Sequence, residues 1–126
     1  MANPDAKAAE VELAFLKKLS NRLPGHVPLL ETLGHLYTES GRIAEGLEAD
    51  LSLTRLCPDV PLYWYNLACS YALSGRDDEA FSSLDRAVSL GYRDVEWIRK
   101  DSDLDSIRQD PRFHGMLQRL LEMCGG

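Results

Sequence analysis

Acidic side chains form the clearest chemical pattern in the sequence, toward its carboxyl end. Asp101, Asp103 and Asp105 alternate along the chain, and Asp110 follows them. Alternating carboxylates can ligate Ca²⁺, because hard cations prefer oxygen ligands. A calcium-binding loop also needs a glycine at its sharp turn and a closing glutamate, but the turn has no glycine and Arg112 stands at the closing position. A solvated turn whose carboxylates cap helices is therefore the better interpretation.

Sulfur and imidazole groups are the other candidates for metal binding or nucleophilic catalysis. They lack the paired spacing of a zinc site, and an odd number of cysteines does not suit a disulfide framework. The sequence also lacks the glycine-rich phosphate loops and the metalloprotease and serine-hydrolase motifs. We therefore expect no enzyme activity, no metal and no other cofactor. The side chains considered are Cys57, Cys69, Cys124, His26, His35 and His114.

The net charge of −6 restricts the partners. Most of the excess lies between Glu31 and Asp50, where Arg42 is the only lysine or arginine. A nucleic-acid backbone would be repelled, whereas the acidic stretch is either a solvated face or a surface that selects a basic partner. No apolar run is long enough to cross a membrane, and the start of the chain is polar, unlike a signal peptide. We expect a cytoplasmic protein with no membrane or nucleic-acid partner.

The chain contains an internal repeat, in which residues 27–60 align without a gap with residues 61–94 and seven positions are identical. Each unit has the spacing of two amphipathic helices. A glycine stands at the same place between them, where a left-handed residue can end the first helix, and in the second unit Asp77 is suited to cap the next helix. The apolar stripe of the first helix in that unit consists of Trp64, Leu67, Ala68 and Tyr71.

This pattern resembles the tetratricopeptide repeat (TPR), W-x-x-L-G-x-x-Y, then A-x-x-x-F, then P. The second unit is the closer match, with Ala80 and Ala87 following the stripe. The first unit departs from the pattern at Leu30, Gly46 and Asp50. Gly46 should cost its helix about 1 kcal/mol relative to alanine. The resemblance implies an all-α fold, a short right-handed α-solenoid of antiparallel helix pairs with capping helices at both ends.

The same comparison predicts how the single domain is divided. Residues 5–23 form an N-terminal capping helix, and residues 27–60 and 61–94 form the two repeats. Residues 95–124 form a degenerate closing repeat, whose apolar stripe can cover the exposed face of the last helix pair. The stripe consists of Phe113, Met116, Leu117, Leu120 and Leu121. This closing segment resembles the end of bacterial TPR arrays, so we expect a bacterial origin.

The resemblance also implies a function, because the first helix of each TPR pair lines a concave groove that binds other proteins. We expect an adaptor or scaffold that holds a peptide or helix of a protein partner. Tyr65 offers a rigid aromatic contact and Asn66 can pair with an extended backbone, although both could instead serve only to pack helices together. The predicted contact residues are Glu31, His35, Thr38, Tyr65, Asn66, Cys69, Ala72 and Arg99.

Two alternatives remain open. A short array could act structurally by self-association, as a homodimer, because at least three repeats are normally needed for independent stability. The chain could also be a co-chaperone-like accessory subunit that clamps a terminal carboxylate. Asn66 suits such a clamp, whereas Glu31 would repel the carboxylate.

Overall fold

The computed structural model describes residues 4–125, with side chains from residue 7 onward. This part of the chain is helical and contains no strand, which confirms the predicted all-α class. None of its helices is both long and apolar enough to span a bilayer. The elements are α1 (Pro4–Arg22), α2 (Val27–Glu39), α3 (Ile43–Leu56), α4 (Pro61–Leu73), α5 (Asp77–Ser89), α6 (Val95–Lys100), a short 3-10 helix (Ser102–Ile107) and α7 (Pro111–Gly125).

Glycines reverse the chain between the two helices of each pair. Gly41 and Gly75 have φ values of 77° and 73°, a left-handed conformation that other residues adopt only with strain. Helix α4 begins at Pro61. Proline lacks a backbone N–H, and in the first turn of a helix that group would have no hydrogen-bond partner within the helix. The expectation that Asp77 caps α5 is wrong. Asp77 is the first residue of the helix, and Arg76 holds the cap position without a side-chain capping bond.

Each long helix packs against the next one along the chain. Contacts join α1 to α2, α2 to α3, α3 to α4, and α4 to α5. Further along, the 3-10 helix packs on α4, and α7 packs on α5 and α6. Repeated packing of neighbouring helices is the architecture of a helical solenoid, in which each unit contacts only its neighbours.

The apolar interior consists of two clusters of unequal size. The smaller joins α1 and α2 through Leu13, Leu29, Leu33 and Tyr37. The larger extends from α4 and α5 to the closing helix, whose Phe113, Met116 and Leu120 are fully buried. Leu121, placed by sequence in the same sealing stripe, is exposed. The closing helix thus covers the last pair through a narrower stripe than its sequence predicts.

Gly46 proves to be a close-approach position and not only a weak point of α3. A Cβ atom at this position would lie 2.9 Å from Thr38 Oγ1 on α2. That hydroxyl is held in place, because it donates a hydrogen bond of 3.0 Å to the Gly34 carbonyl. An alanine at position 46 would therefore meet a fixed neighbour.

Candidate functional site

A groove of about 550 Å³ runs across the first helices of the pairs. Helices α2 and α4 supply most of its lining, α3 contributes Asp50 and Leu53, and the chain from α6 into the 3-10 helix closes the far end. Its apolar lining includes Leu62 and Trp97, whose side chains are 50% and 44% exposed. The repeated packing therefore leaves an open concavity with both apolar and polar walls.

Six of the eight contact residues predicted from sequence line this groove. Two do not. Ala72 is buried in the larger apolar cluster, where its carbonyl accepts a hydrogen bond from Ser106. Arg99 is exposed but lies outside the groove lining, and its carbonyl accepts a hydrogen bond from Arg108. The six that the fold brings together are Glu31, His35, Thr38, Tyr65, Asn66 and Cys69.

Tyr65 does not offer the exposed aromatic surface that was expected of it. Its side chain is only 2% exposed, and its hydroxyl donates a 2.6 Å hydrogen bond to Asp101 Oδ2. Its ring stacks on Tyr92 with centroids 4.4 Å apart and an interplanar angle of 8°. Tyr65 therefore fixes the closing segment against α4, as the packing alternative held.

Cys69 also faces inward, toward the same carboxylate. Its thiol donates a weak hydrogen bond of 3.7 Å to Asp101 Oδ2. Burial, together with the nearby Asp101 and Asp103 carboxylates, raises the pKa of this thiol well above its usual range. Possible metal-ligating atoms of these three residues lie within 4.8 Å of one another. A thiol that stays protonated is a poor ligand, because metals bind the thiolate.

Asp101 is a buried helix cap and not a solvated one. One carboxylate oxygen accepts from Tyr65 and Cys69, while the other accepts from the Asp103 backbone N–H at 3.0 Å. The capping part of the sequence interpretation thus holds for Asp101, and only its solvation was wrong. The hydrogen bonds already made explain the cluster as a structural network that positions the groove's far wall.

The remaining predicted residues present polar groups along the groove. Asn66 is exposed, and its side chain makes no hydrogen bond with the residues from 7 to 125. His35 Nε2 lies 3.1 Å from Glu39, with both side chains exposed. Glu31 accepts a 2.9 Å hydrogen bond from the Tyr63 hydroxyl. Asn66 is therefore available to an incoming backbone, while Glu31 and His35 already have neighbours.

A buried carboxylate at the bottom of the groove was missed as a site residue. Asp50 is 6% exposed and accepts a 2.5 Å hydrogen bond from Ser70 Oγ. Burial raises the pKa of Asp50 from 3.8 to about 6, and the Ser70 hydrogen bond opposes this only in part. The sequence did carry a signal, since Asp50 stands where the repeat pattern has an aromatic residue.

Comparison with known proteins gives distant relatives. No family model matches the chain. A chloroplastic protein of Arabidopsis thaliana is 29% identical over 111 residues, which cover 86% of this chain and 32% of that protein. The peroxisomal targeting signal receptor of Pichia angusta is 32% identical over 108 residues, covering 86% of this chain and 19% of the receptor. The receptor of Komagataella phaffii is 28% identical over 123 residues, with coverage of 94% and 21%.

This chain therefore spans about a third or less of the length of these relatives. They come from eukaryotes, so the expected bacterial origin is not supported. The identity to the receptors is low, and it extends over most of this helical chain.

Two apolar groove residues were also missed by sequence reasoning. Leu62 and Trp97 are both exposed, and both line the groove. Trp97 could have been found by extending the repeat, because it lies one repeat length after the groove residue Tyr63. The degenerate sequence of the closing segment hid that correspondence.

Proposed function

We propose that the chain is a TPR-type interaction module that holds a peptide or helix of a partner protein in the groove between α2, α4 and the closing segment. The observation that carries this proposal is the groove itself, about 550 Å³ in volume and lined by successive first helices. Concave sites of this size, with apolar walls and a few polar groups, are typical of ligand binding. The relatives named as targeting-signal receptors support a peptide ligand.

Two exposed side chains would make the principal contacts. Trp97 offers a large apolar surface at low entropic cost, and tryptophan is enriched among residues that dominate binding energy. The Asn66 amide can donate to and accept from one peptide group of an extended ligand. Tyr65 takes no direct part, since it is buried behind them.

The test is to isolate partners with the intact chain as bait and to repeat the isolation with two groove variants. Trp97→Ala and Asn66→Ala should each weaken recovery of a groove partner, by about tenfold or more for the tryptophan. Met123→Ala and Gln118→Ala are matched controls, because both residues are exposed on α7 outside the groove. Circular dichroism should show unchanged helix content. Equal recovery with all four variants would reject the groove as the binding surface.

Self-association is a second candidate, favoured by one feature of α1. Val11 and Phe15 lie one helical turn apart and are 65% and 64% exposed. A second copy could cover this apolar pair. Light scattering at micromolar concentration should then give a dimer that Phe15→Ser converts to a monomer. A native chain that is already monomeric would exclude this role.

The predicted division of the chain fits this function. We propose that residues 5–23 cap the first pair, that residues 27–60 and 61–94 are two repeats, and that residues 95–124 close the array. Helices α2 to α5 fall within the two proposed repeats, and α7 covers α5. Truncation before residue 95 should expose the larger apolar cluster and cause aggregation, which size-exclusion chromatography would detect.

A further inference from the structure

Asp50 stands where the repeat places an apolar residue in the interior. The equivalent position of the second unit is Leu84, and it is fully buried. The hydrogen-bond partner Ser70 likewise corresponds, one repeat length later, to the fully buried Leu104. Two positions that are apolar and buried one repeat length later are thus occupied here by a carboxylate and a hydroxyl. Burying a carboxylate without a cation opposes folding, so packing alone does not account for this residue.

Only half of the Asp50 carboxylate has a partner. Oδ2 accepts the bond from Ser70, whereas Oδ1 has no hydrogen bond or ion pair with the part of the chain that the structure describes. Gly34 leaves this oxygen uncovered, because a Cβ atom there would lie 3.3 Å from Oδ1. Both Gly34 and Asp50 line the groove. Among the described residues no buried side-chain oxygen lacks a hydrogen-bond partner, so Oδ1 is open to the groove, where solvent or a bound ligand supplies its donor.

The charge of the groove indicates what kind of donor this is. Over the described residues its lining holds four carboxylates and neither lysine nor arginine. His35 is the basic residue among the lining, and it faces Glu39. A pKa of about 6 leaves Asp50 ionised at neutral pH. Negative charge along low-dielectric walls favours a cationic ligand and disfavours an anionic one.

We propose that the groove selects a partner segment carrying a lysine or arginine side chain, whose cationic head binds Asp50 Oδ1 while adjoining apolar atoms pack on Leu62 and Trp97. The inference rests on the proposed function and specifies its ligand. Both side chains suit the site, because each joins a charged head to an apolar stem. Charge-assisted hydrogen bonds of this kind are stronger than neutral ones.

The test uses the intact chain and a random library of decapeptides with acetylated and amidated ends. The strongest binder should contain a basic residue. Replacing that residue by uncharged norleucine or citrulline should raise the Kd about tenfold, the size expected for one hydrogen bond to a charged group. In Asp50→Asn the same replacement should have no effect. Asp59→Asn, which makes the same charge change at an exposed position outside the groove, should behave like the native chain.

Gly34→Ala provides an independent variant without a change of charge. Its methyl group would cover Oδ1, so the substitution should weaken binding of the basic peptide and leave binding of the norleucine peptide unchanged. Equally tight binding by peptides without a basic residue, or equal affinity of the basic peptide for Asp50→Asn, would overturn the inference and leave the groove function intact. Tighter binding of the same peptide when its amino terminus is left unacetylated, or displacement of the peptide by Mg²⁺, would also overturn it.

The outcome for the groove itself is read separately. Bound peptide should shift the NMR signal of the Trp97 indole N–H. If no library peptide shifts this signal, the proposed function fails along with its ligand. If the signal shifts but the bound peptides show no preference for basic residues, the proposed peptide-binding function is supported and only the proposed cationic ligand is rejected.

Discussion

Asparagine at position 50 should make the protein more stable at neutral pH, although it removes a buried hydrogen-bonding carboxylate. Burial raises the pKa of Asp50 from 3.8 to about 6, so the folded state binds this proton more tightly than the unfolded state. The contribution of Asp50 to stability is therefore most favourable below about pH 4 and is lost as the pH rises through about 6. Asparagine keeps an acceptor for Ser70 and carries no charge.

The magnitude follows from the two pKa values. Ionising Asp50 in the folded protein lowers the free energy of unfolding by about 3 kcal/mol at about pH 7.5, and by only about 1 kcal/mol at about pH 4.5. Because asparagine has no charge, Asp50→Asn should raise the free energy of unfolding by these same amounts at the two pH values. The stabilisation would thus grow with pH, while affinity for a basic peptide would fall. A residue that lowers stability and is kept for binding is a common trade-off in proteins.

Urea unfolding followed by far-UV circular dichroism measures the effect at the two pH values. Other groups that titrate, such as Asp103, whose burial also raises its pKa, are present in both proteins and cancel in the difference. Asp59→Asn controls for net charge and should change stability by less than about 0.5 kcal/mol. Parallel stability curves for the native chain and Asp50→Asn would refute the reasoning, because they would mean that Asp50 titrates alike in both states.

Three further predictions concern the supporting structure. Tyr65→Phe should lower the free energy of unfolding by about 1 to 3 kcal/mol, since it leaves the buried Asp101 carboxylate short of a donor; equal urea midpoints would contradict this. Arg108 donates hydrogen bonds to three backbone carbonyls around the end of α6, so Arg108→Ala should lower the free energy of unfolding by about 2 kcal/mol or more. An unchanged melting temperature would contradict this prediction. Gly46→Ala should not stabilise the native chain, because its methyl group would clash with the Thr38 hydroxyl. In a Thr38→Ala background the same substitution should raise the free energy of unfolding by about 1 kcal/mol, and a double-mutant cycle measures the difference.

The amino-acid sequence determined the helical class and its order, because helical periodicity and the internal repeat can be read along the chain without knowledge of its folding. Glycine at the turns could be assigned in the same way, and Gly75 adopts the left-handed conformation expected of it. The resemblance to the tetratricopeptide repeat implied which faces of α2 and α4 line the groove, and helical geometry, which brings residues three and four apart onto one side, then selected the residues on those faces.

Only the tertiary structure decided which of those residues are accessible. Tyr65 and Cys69 lie on the predicted face but turn toward Asp101, because the closing segment packs over them. The same packing brings Trp97 to the groove from a segment whose sequence no longer follows the repeat. Asp50 is anomalous in sequence, yet its unpaired oxygen becomes apparent only when α2, α3 and α4 lie together. Periodicity specifies the direction of a side chain from its own helix, whereas burial depends on contacts between residues far apart in the chain.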